Sequence, residues 1–205
     1  MNTHFSKNIW IKSLFLAALF VAASLLGLDS ECLAGATYAE NQLVFDVSKQ
    51  DKSLFLTATF VLPLSQCQSY RLLTDYDSVE DIPGFVYSNT ERISANKVMV
   101  QRMVEERILF VPIDVRTTIE FTEIPYIGTD FKQVQGKAKA YQGSWRLEAE
   151  GSKSTRFNYR AQIEPGSLVP SFLIQHFISK KLRRNFEALI NVGLDRQSAN
   201  FIPCN

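Results

Sequence analysis

The 205-residue sequence has few of the residues that usually build catalytic and metal centres, with 3 cysteines, 2 histidines and 2 tryptophans. A zinc site needs three or four converging cysteine, histidine or carboxylate ligands. A Ser-His-Asp or Cys-His arrangement needs a histidine beside its nucleophile. Of the two histidines, His4 lies in the N-terminal segment, and the helical periodicity around His176 places it on a polar side. No glycine-rich phosphate loop is present. We therefore expect no metal site, no cofactor and no catalytic histidine.

The sequence also lacks a surplus of charge of either sign. It has 22 Lys and Arg against 21 Asp and Glu, a formal net charge of +1, whereas a nucleic-acid-binding domain normally carries a basic surplus. The 15 phenylalanines and 7 tyrosines argue against disorder, because burying large apolar side chains offsets the entropy cost of ordering the backbone. The composition indicates one folded domain with an appendage and no nucleic-acid partner.

The appendage is the first segment of the chain. A positively charged start precedes an uncharged stretch over residues 13–28, and small residues follow at 34–36. This order is typical of a secretory signal peptide, and the 16 uncharged residues fall short of the roughly 20 that a spanning helix needs. We predict a signal peptide over residues 1–36, cleaved after Ala36 or alternatively after Ala34, and a periplasmic or secreted mature protein. The alternative is an uncleaved N-terminal membrane anchor.

Removal of this segment leaves two cysteines, Cys67 and Cys204. In an oxidising compartment two thiols permit a single intramolecular disulfide. Such a bond would close a loop long enough to contribute about 4–5 kcal/mol in the chain-entropy description. The alternative is two unpaired, partly buried thiols.

Strand patterns dominate the mature chain. Apolar residues alternate with polar ones over residues 43–47 and again over 54–62, with a polar turn between them, which predicts a β-hairpin. Six more segments with strand character follow, over residues 85–93, 97–105, 113–122, 126–134, 139–149 and 155–163. Because no helical crossovers separate these segments, we expect an antiparallel meander.

Two short helices are predicted between the hairpin and the meander. The spacing of Ser65 and Gln68 is that of a capping box, so the first helix should begin there and extend to about Leu73. A second short helix is expected to open at Asp77 and to end at Pro83-Gly84.

The meander is followed by a long amphipathic helix, predicted from about Pro170 to Leu194. Proline suits the first turn, because its missing N–H would be unpaired there. At 100° per residue one side of the helix carries Ile174, Ile178, Leu182, Phe186, Leu189 and Gly193. This stripe needs a sheet to cover it, so we expect one domain over residues 37–195 and a tail over 196–205. Together the elements describe an α+β helix-grip fold, a curved antiparallel sheet wrapped around a long C-terminal helix, with two short helices after the first strands.

Several short motifs occur in order along residues 43–195. They are Leu72-Leu73-Thr74-Asp75-Tyr76-Asp77 leading into Ile82-Pro83-Gly84, then Glu123-Ile124-Pro125, Gly128 with Asp130-Phe131, Gly143-Ser144-Trp145-Arg146-Leu147, and Leu168-Val169-Pro170. This set resembles the START-like (SRPBCC) superfamily, and most closely its polyketide cyclase/dehydrase and coenzyme-Q-binding branch. The resemblance implies a protein that binds a hydrophobic small molecule such as a lipid, an isoprenoid quinone or a polyketide-like aromatic compound.

A sheet that curls around a helix leaves a ligand-binding space if side chains do not fill it, and natural pockets measure roughly 300–1,000 Å³. The candidate ligand-binding residues are Arg102, Phe121, Phe131, Trp145, Phe157 and Tyr159 on the sheet and Ile174, Ile178, Leu182 and Phe186 on the helix. Arg102 and Tyr159 are the polar groups expected to fix the orientation of a ligand. The same residues would also suit a filled core, and periodicity does not distinguish the two.

Two functional alternatives to a carrier remain open. The first is a cyclase or dehydratase acting on an aromatic or polyketide substrate, which needs an inward-facing Glu91, Arg102 or Tyr159 at the pocket. Alternation permits Glu91 to face inward, and either the face of Arg102 or the face of Met103 can be the inner one. The second alternative is a protein that acts only by binding a macromolecular partner.

The sharpest charge cluster lies on the polar side of the long helix, at Lys180, Lys181, Arg183 and Arg184. A basic residue near an anionic membrane surface contributes about 1 kcal/mol, so this cluster is consistent with peripheral membrane contact. The alternative is an exposed helix face that pairs with Glu187 and nearby acids. We expect the protein to be a monomer.

Overall fold

The computed structural model describes residues 43–78, 85–108, 111–166, 171–198 and 204. The predicted signal peptide over residues 1–36 and most of the predicted tail over 196–205 lie outside the described residues. Most of the second predicted short helix also lies outside them, and Asp77 and Ser78, which are described, are not helical.

Eight strands and two helices make up the described part of the chain. The strands are β1 (Val44–Gln50), β2 (Ser53–Leu62), β3 (Phe85–Arg92), β4 (Lys97–Ile108), β5 (Val111–Ile124), β6 (Gly128–Gln135), β7 (Ala140–Ala149) and β8 (Thr155–Glu164), and the helices are α1 (Gln66–Thr74) and α2 (Ser171–Ser198). All eight strands form one antiparallel sheet in the order β1-β2-β8-β7-β6-β5-β4-β3. The predicted meander runs from β3 to β8, and the first hairpin joins it where β2 pairs with β8. The α+β helix-grip prediction is confirmed.

Strict alternation in β2 and β8 builds the core. Every second residue of β2 is at most 2% exposed, namely Leu54, Leu56, Ala58, Phe60 and Leu62. Across the strand pair, Phe60 stacks on Phe157 of β8 with ring centroids 4.9 Å apart. From α2, Phe186 and Ile190 are buried against this region. This part of the concave face is therefore filled with side chains.

α1 begins where the capping box predicts. The Oγ of Ser65 accepts a hydrogen bond from the backbone N–H of Gln68 over 3.3 Å, and the backbone N–H of Ser65 donates to Oε1 of Gln68 over 3.0 Å. The buried side chain of Leu72 fixes the helix to the core. In its first turn, Cys67 is disulfide-bonded to Cys204, which lies 137 residues later. The segment that follows α2 is thus tied covalently to the start of α1.

β3 lies at one edge of the sheet and carries an irregularity. Its register against β4 shifts between Phe85 and Tyr87, and a bulge of this kind reverses the alternation of inward and outward side chains. As a result Ser88 faces the concave side, where its hydroxyl donates to the backbone oxygen of Tyr76 over 2.8 Å. Glu91 is exposed, so of the two orientations that the sequence allowed, inward or near a strand end in contact with water, the structure has the second.

Candidate functional site: a cavity between the sheet and the C-terminal helix

A cavity of about 190 Å³ lies between the concave face of the sheet and α2. It is lined by Leu72, Leu73, Asp75, Tyr76, Ser78, Arg102, Ile119, Phe121, Phe131, Tyr141, Trp145, Tyr159, Leu182, Asn185, Phe186, Leu189, Val192 and Arg196. Most of this lining is aliphatic or aromatic, with a few polar groups at distinct places. The interior is therefore part filled core, beside the first hairpin, and part cavity.

Arg102 points toward the cavity from β4. Val98 and Val100, which share its side of the strand, are fully buried, and this establishes the strand register that the sequence left open. One guanidinium nitrogen, Nη2, donates to the backbone oxygen of Tyr76 over 3.4 Å. The guanidinium carbon lies 6.0 Å from the ring centroid of Phe121, within the range of cation–π contact. Burial lowers the pKa of Arg102, but a guanidinium stays protonated in proteins, so the cavity wall carries a positive charge.

On the sheet side of the cavity, a phenylalanine ring packs directly over a glycine. Gly143 on β7 is paired with Phe131 on β6, and a Cβ atom at Gly143 would lie only 2.7 Å from the Phe131 ring. Without that atom, the Phe131 ring sits between Tyr141 and Tyr159, at centroid distances of 5.2 and 5.8 Å. The two tyrosine hydroxyls are 3.0 Å apart and share a hydrogen bond. Burial raises the pKa of Tyr141 and of Tyr159, so both hydroxyls remain protonated donors.

α2 contributes one polar side chain, Asn185, to a wall that it otherwise lines with apolar residues. Asn185 lies one helical turn from both Leu182 and Leu189, and all three line the cavity. The amide Oδ1 of Asn185 is buried and has no hydrogen-bond partner among the described residues. Leaving a buried acceptor without a donor costs about 1–3 kcal/mol. An apolar side chain at this position would pack against the same neighbours and would not carry this cost.

One end of the cavity reaches the surface beside an ion pair. Oδ2 of Asp75, just after α1, lies 2.7 Å from Nη1 of Arg196 in the last turn of α2, and the two side chains are 33% and 14% exposed. Ser78, which also lines the cavity, is exposed. The ion pair thus links α1 to α2 at the entrance.

A buried carboxylate lies beside the cavity but is not part of its lining. Glu123 on β5 is 8% exposed, and it accepts two hydrogen bonds, of 3.0 and 3.3 Å, from the guanidinium of Arg92. Burial, followed by the negative charge of Glu123, raises the pKa of Tyr76. Because Arg92 holds both carboxylate oxygens, Glu123 is poorly placed to exchange a proton with a molecule in the cavity.

Seven of the ten predicted ligand-binding residues line the cavity, namely Arg102, Phe121, Phe131, Trp145, Tyr159, Leu182 and Phe186. Two others do not line the cavity: Phe157 is fully buried against Phe60, and Ile178 packs against the core. The side chain of Ile174 lies outside the described residues. The role of the seven in binding remains a prediction.

Sequence reasoning missed six polar residues of the cavity lining. Asp75, Ser78 and Arg196 lie at its exposed end, and Tyr76, Tyr141 and Asn185 lie deeper. For two of the deeper residues a signal was present in the sequence, since Tyr141 shares the alternation of Trp145, and Asn185 follows Leu182 by one helical turn. Tyr76 lies in an irregular segment after α1, where no periodicity indicates which side chain turns inward.

The basic cluster on α2 lies apart from the cavity lining. Lys180, Arg183 and Arg184 are exposed and Lys181 is partly buried. The guanidinium of Arg183 lies 5.5 Å from the ring centroid of Phe45. Neither helix in the described ranges is long and apolar enough to cross a membrane. Within those same ranges, no group of three His, Cys, Asp or Glu side chains is arranged to hold a metal ion.

Comparison with known proteins assigns the sequence to a family. The family model described as polyketide cyclase / dehydrase and lipid transport matches residues 62–190. Among curated proteins, no relative matches the sequence.

Solved structures share the fold at low identity. The protein TTHA0849 from Thermus thermophilus is 17% identical, with a TM-score of 0.61 over 72% of this chain and 99% of that one. The Zhui aromatase/cyclase from Streptomyces sp. R1128 is 12% identical, with a TM-score of 0.61 over 71% and 96%. The STAR-related lipid transfer protein from Xanthomonas axonopodis is 12% identical, with a TM-score of 0.58 over 73% and 98%. Identities this low support the fold alone, and the match of the family model shows that the chain belongs to the polyketide cyclase/dehydrase and lipid-transport family of the START-like superfamily.

Proposed function

We propose that this protein binds a hydrophobic small molecule in the cavity between the sheet and α2, and that it carries this molecule without converting it. The observation that supports the proposal most is the aromatic cavity with a few separated polar groups, which is the usual composition of a ligand pocket. One of the similar structures is named a STAR-related lipid transfer protein, which agrees with a hydrophobic ligand, and another is named an aromatase/cyclase. Affinity would come mainly from apolar area removed from water, at about 25 cal/mol per Å².

The size of the cavity limits what can enter. Its volume of about 190 Å³ exceeds the roughly 150 Å³ that suffices to bind benzene, but it is below the roughly 300–1,000 Å³ of pockets for drug-sized ligands. A single substituted ring therefore fits completely. A lipid or an isoprenoid quinone would place only one end inside, and its remaining length would leave by the open end beside Asp75 and Arg196.

An enzyme of the cyclase or dehydratase type finds less support in the same site. Glu91 is exposed, and the only carboxylate in the cavity lining described here, that of Asp75, is paired with Arg196. Burial raises the pKa of Tyr159, so this hydroxyl would not act as a base near neutral pH. Arg102 and Tyr159 do line the cavity, as this alternative requires, but a guanidinium has no proton acceptor. Both groups can orient a ligand through hydrogen bonds, which is what a carrier requires.

Replacing Leu189 with tryptophan is expected to reduce ligand binding at least tenfold, because the larger side chain would occupy the cavity that Leu189 lines. Two measurements test this expectation. The first is mass spectrometry of the hydrophobic compounds extracted from protein purified from its native compartment. The second is the rise in melting temperature caused by 4-ethylphenol, since a ligand that binds only the folded state stabilises it.

Asn191→Trp is the matched control, because Asn191 is exposed on the same helix and its replacement should leave the cavity open. We expect this variant to retain both the extracted compound and the response to 4-ethylphenol. The proposal fails if Leu189→Trp, while folded, keeps the same load and response as the wild type. It also fails if the wild type neither carries a compound nor responds to the probe.

We further propose that the protein is exported. The signal-peptide pattern over residues 1–36 supports this, and so does the bond between Cys67 and Cys204, because disulfides persist mainly in oxidising compartments. The basic cluster formed by Lys180, Lys181, Arg183 and Arg184 would then hold the protein loosely against an anionic membrane surface.

Fractionation of cells that express the full chain tests both parts of this idea. We expect a mature protein that begins at Thr37, or at Gly35 if cleavage follows Ala34, in the periplasmic or secreted fraction. Any membrane-associated portion should be released by high salt, which screens exposed charges. Recovery of the uncleaved chain in the cytoplasm would contradict export, and an uncleaved chain that resists the salt wash would indicate the N-terminal anchor instead.

A further inference from the structure

We infer that the ligand of this cavity bears a hydroxyl group, as a phenol or an alcohol does, and that this hydroxyl donates its hydrogen to Asn185. The inference rests on the proposed ligand-binding function and specifies the polar group that the site selects. The apolar lining alone would select a ligand only by its size and hydrophobicity, whereas this inference adds a chemical group.

The helix wall supplies a hydrogen-bond acceptor. Oδ1 of Asn185 is buried beside the cavity and has no hydrogen-bond partner among the described residues. Leucine residues stand one turn before and one turn after it, at Leu182 and Leu189, so an apolar side chain at position 185 would continue the stripe without cost. A ligand that donates a hydrogen bond would remove the cost of about 1–3 kcal/mol that the unpaired oxygen carries.

The sheet wall supplies donors. Tyr141 and Tyr159 share one hydrogen bond between two hydroxyls, which uses one of their two hydrogens and leaves the second for donation. The guanidinium of Arg102 on the same wall offers only donors. The site therefore presents donors on the sheet and an acceptor on the helix.

A hydroxyl is the simplest group that satisfies both walls. Its oxygen can accept from a tyrosine hydroxyl or from Arg102, while its hydrogen is donated to Asn185. A ketone or an ether oxygen only accepts, and a hydrocarbon does neither, so each would leave Oδ1 of Asn185 desolvated and unpaired. We therefore expect the site to discriminate by hydroxyl content among molecules of one shape.

Two probes of matched shape test this expectation, 4-ethylphenol and 4-ethyltoluene, in which a methyl group replaces the hydroxyl. The measurement is the ratio of their dissociation constants, obtained by NMR titration for the wild type and for Asn185→Leu. The variant should shift the ratio about tenfold toward 4-ethyltoluene, since a hydrogen bond to a buried group and the cost of leaving that group unpaired together amount to about that factor. Asn185→Ala should shift it in the same direction, which guards against a folding defect in the leucine variant.

The exposed asparagine on the same helix, Asn191, provides the control, and Asn191→Leu should leave the ratio unchanged. The inference is overturned if both probes bind the wild type and the ratio changes less than twofold in the Asn185 variants. In that case the proposed function still stands, because binding itself has been observed. If neither probe binds the wild type and no compound is extracted from it, the inference and the proposed function fail together.

Discussion

Removal of the disulfide between Cys67 and Cys204 is expected to lower the free energy of unfolding by about 3–5 kcal/mol. The bond joins residues 137 positions apart, so it closes a long loop that includes six of the eight described strands, nearly all of α1 and the whole of α2. In the chain-entropy description, a cross-link across a loop of that length removes much of the freedom of the unfolded chain and stabilises the folded state by several kcal/mol.

Urea unfolding of three samples measures this effect, namely the oxidised protein, the same protein after reduction, and the Cys67→Ser/Cys204→Ser variant. The reduced protein and the double variant should unfold at the same urea concentration, which should be lower than that of the oxidised protein. Adding a reducing agent to the double variant should not change its unfolding midpoint. A loss below about 1 kcal/mol would contradict the prediction and would indicate that the unfolded chain is already compact in this region.

The disulfide also affects the entrance of the cavity. Cys67 lies in the first turn of α1, and Asp75, just after the last turn, is paired with Arg196 of α2. Between these two attachments, α1 provides Leu72 and Leu73 to the cavity lining. The helix is thus held at both ends by the C-terminal part of the chain, and reduction should weaken ligand binding as well as stability.

The elements with strict periodicity were predictable from the sequence. In β2 and β8 one face is buried without interruption, so alternation identifies both the strands and the inward residues. The capping box fixed the start of α1 because its signal is local. For α2 the apolar stripe gave the side that is buried, and the helix continues four residues beyond the predicted Leu194, to Ser198.

The details that depend on distant contacts were not predictable. On β4 both faces carry large side chains, and the inner face is decided by pairing with β5, where Val98 lies opposite Phe121. The bulge in β3 that turns Glu91 outward leaves no local signal. Whether space remains under α2 depends on how individual rings pack, as Phe131 does over Gly143, and periodicity holds no information about that.

Gly143→Ala is expected to destabilise the protein by about 3 kcal/mol, at the upper end of what overpacking a core usually costs. A Cβ atom there would lie 2.2 Å from the backbone oxygen of Arg160, 2.7 Å from the Phe131 ring and 2.9 Å from the Cα of Ala161. Two of these three contacts are with backbone of the neighbouring strand, which cannot rotate away. The sheet itself must therefore shift to accept a single methyl group.

Thermal unfolding measures this loss, and a decrease of about 6–12 °C in melting temperature is expected for a domain of this size. Ser144→Ala is the matched control, because Ser144 is the next residue on β7 and faces the other side of the sheet, so its effect should stay within about 0.5 kcal/mol. A melting temperature within about 2 °C of the wild type in Gly143→Ala would show that Phe131 and the neighbouring strand move freely.

The same substitution should also reduce binding of 4-ethylphenol, because Phe131 fixes the positions of Tyr141 and Tyr159 in the cavity wall. If stability falls while binding of the folded protein is unchanged, the Phe131 ring supports the fold but not the site. If both fall together, one missing methyl group in β7 determines both the packing of the sheet and the arrangement of the donors that face the ligand.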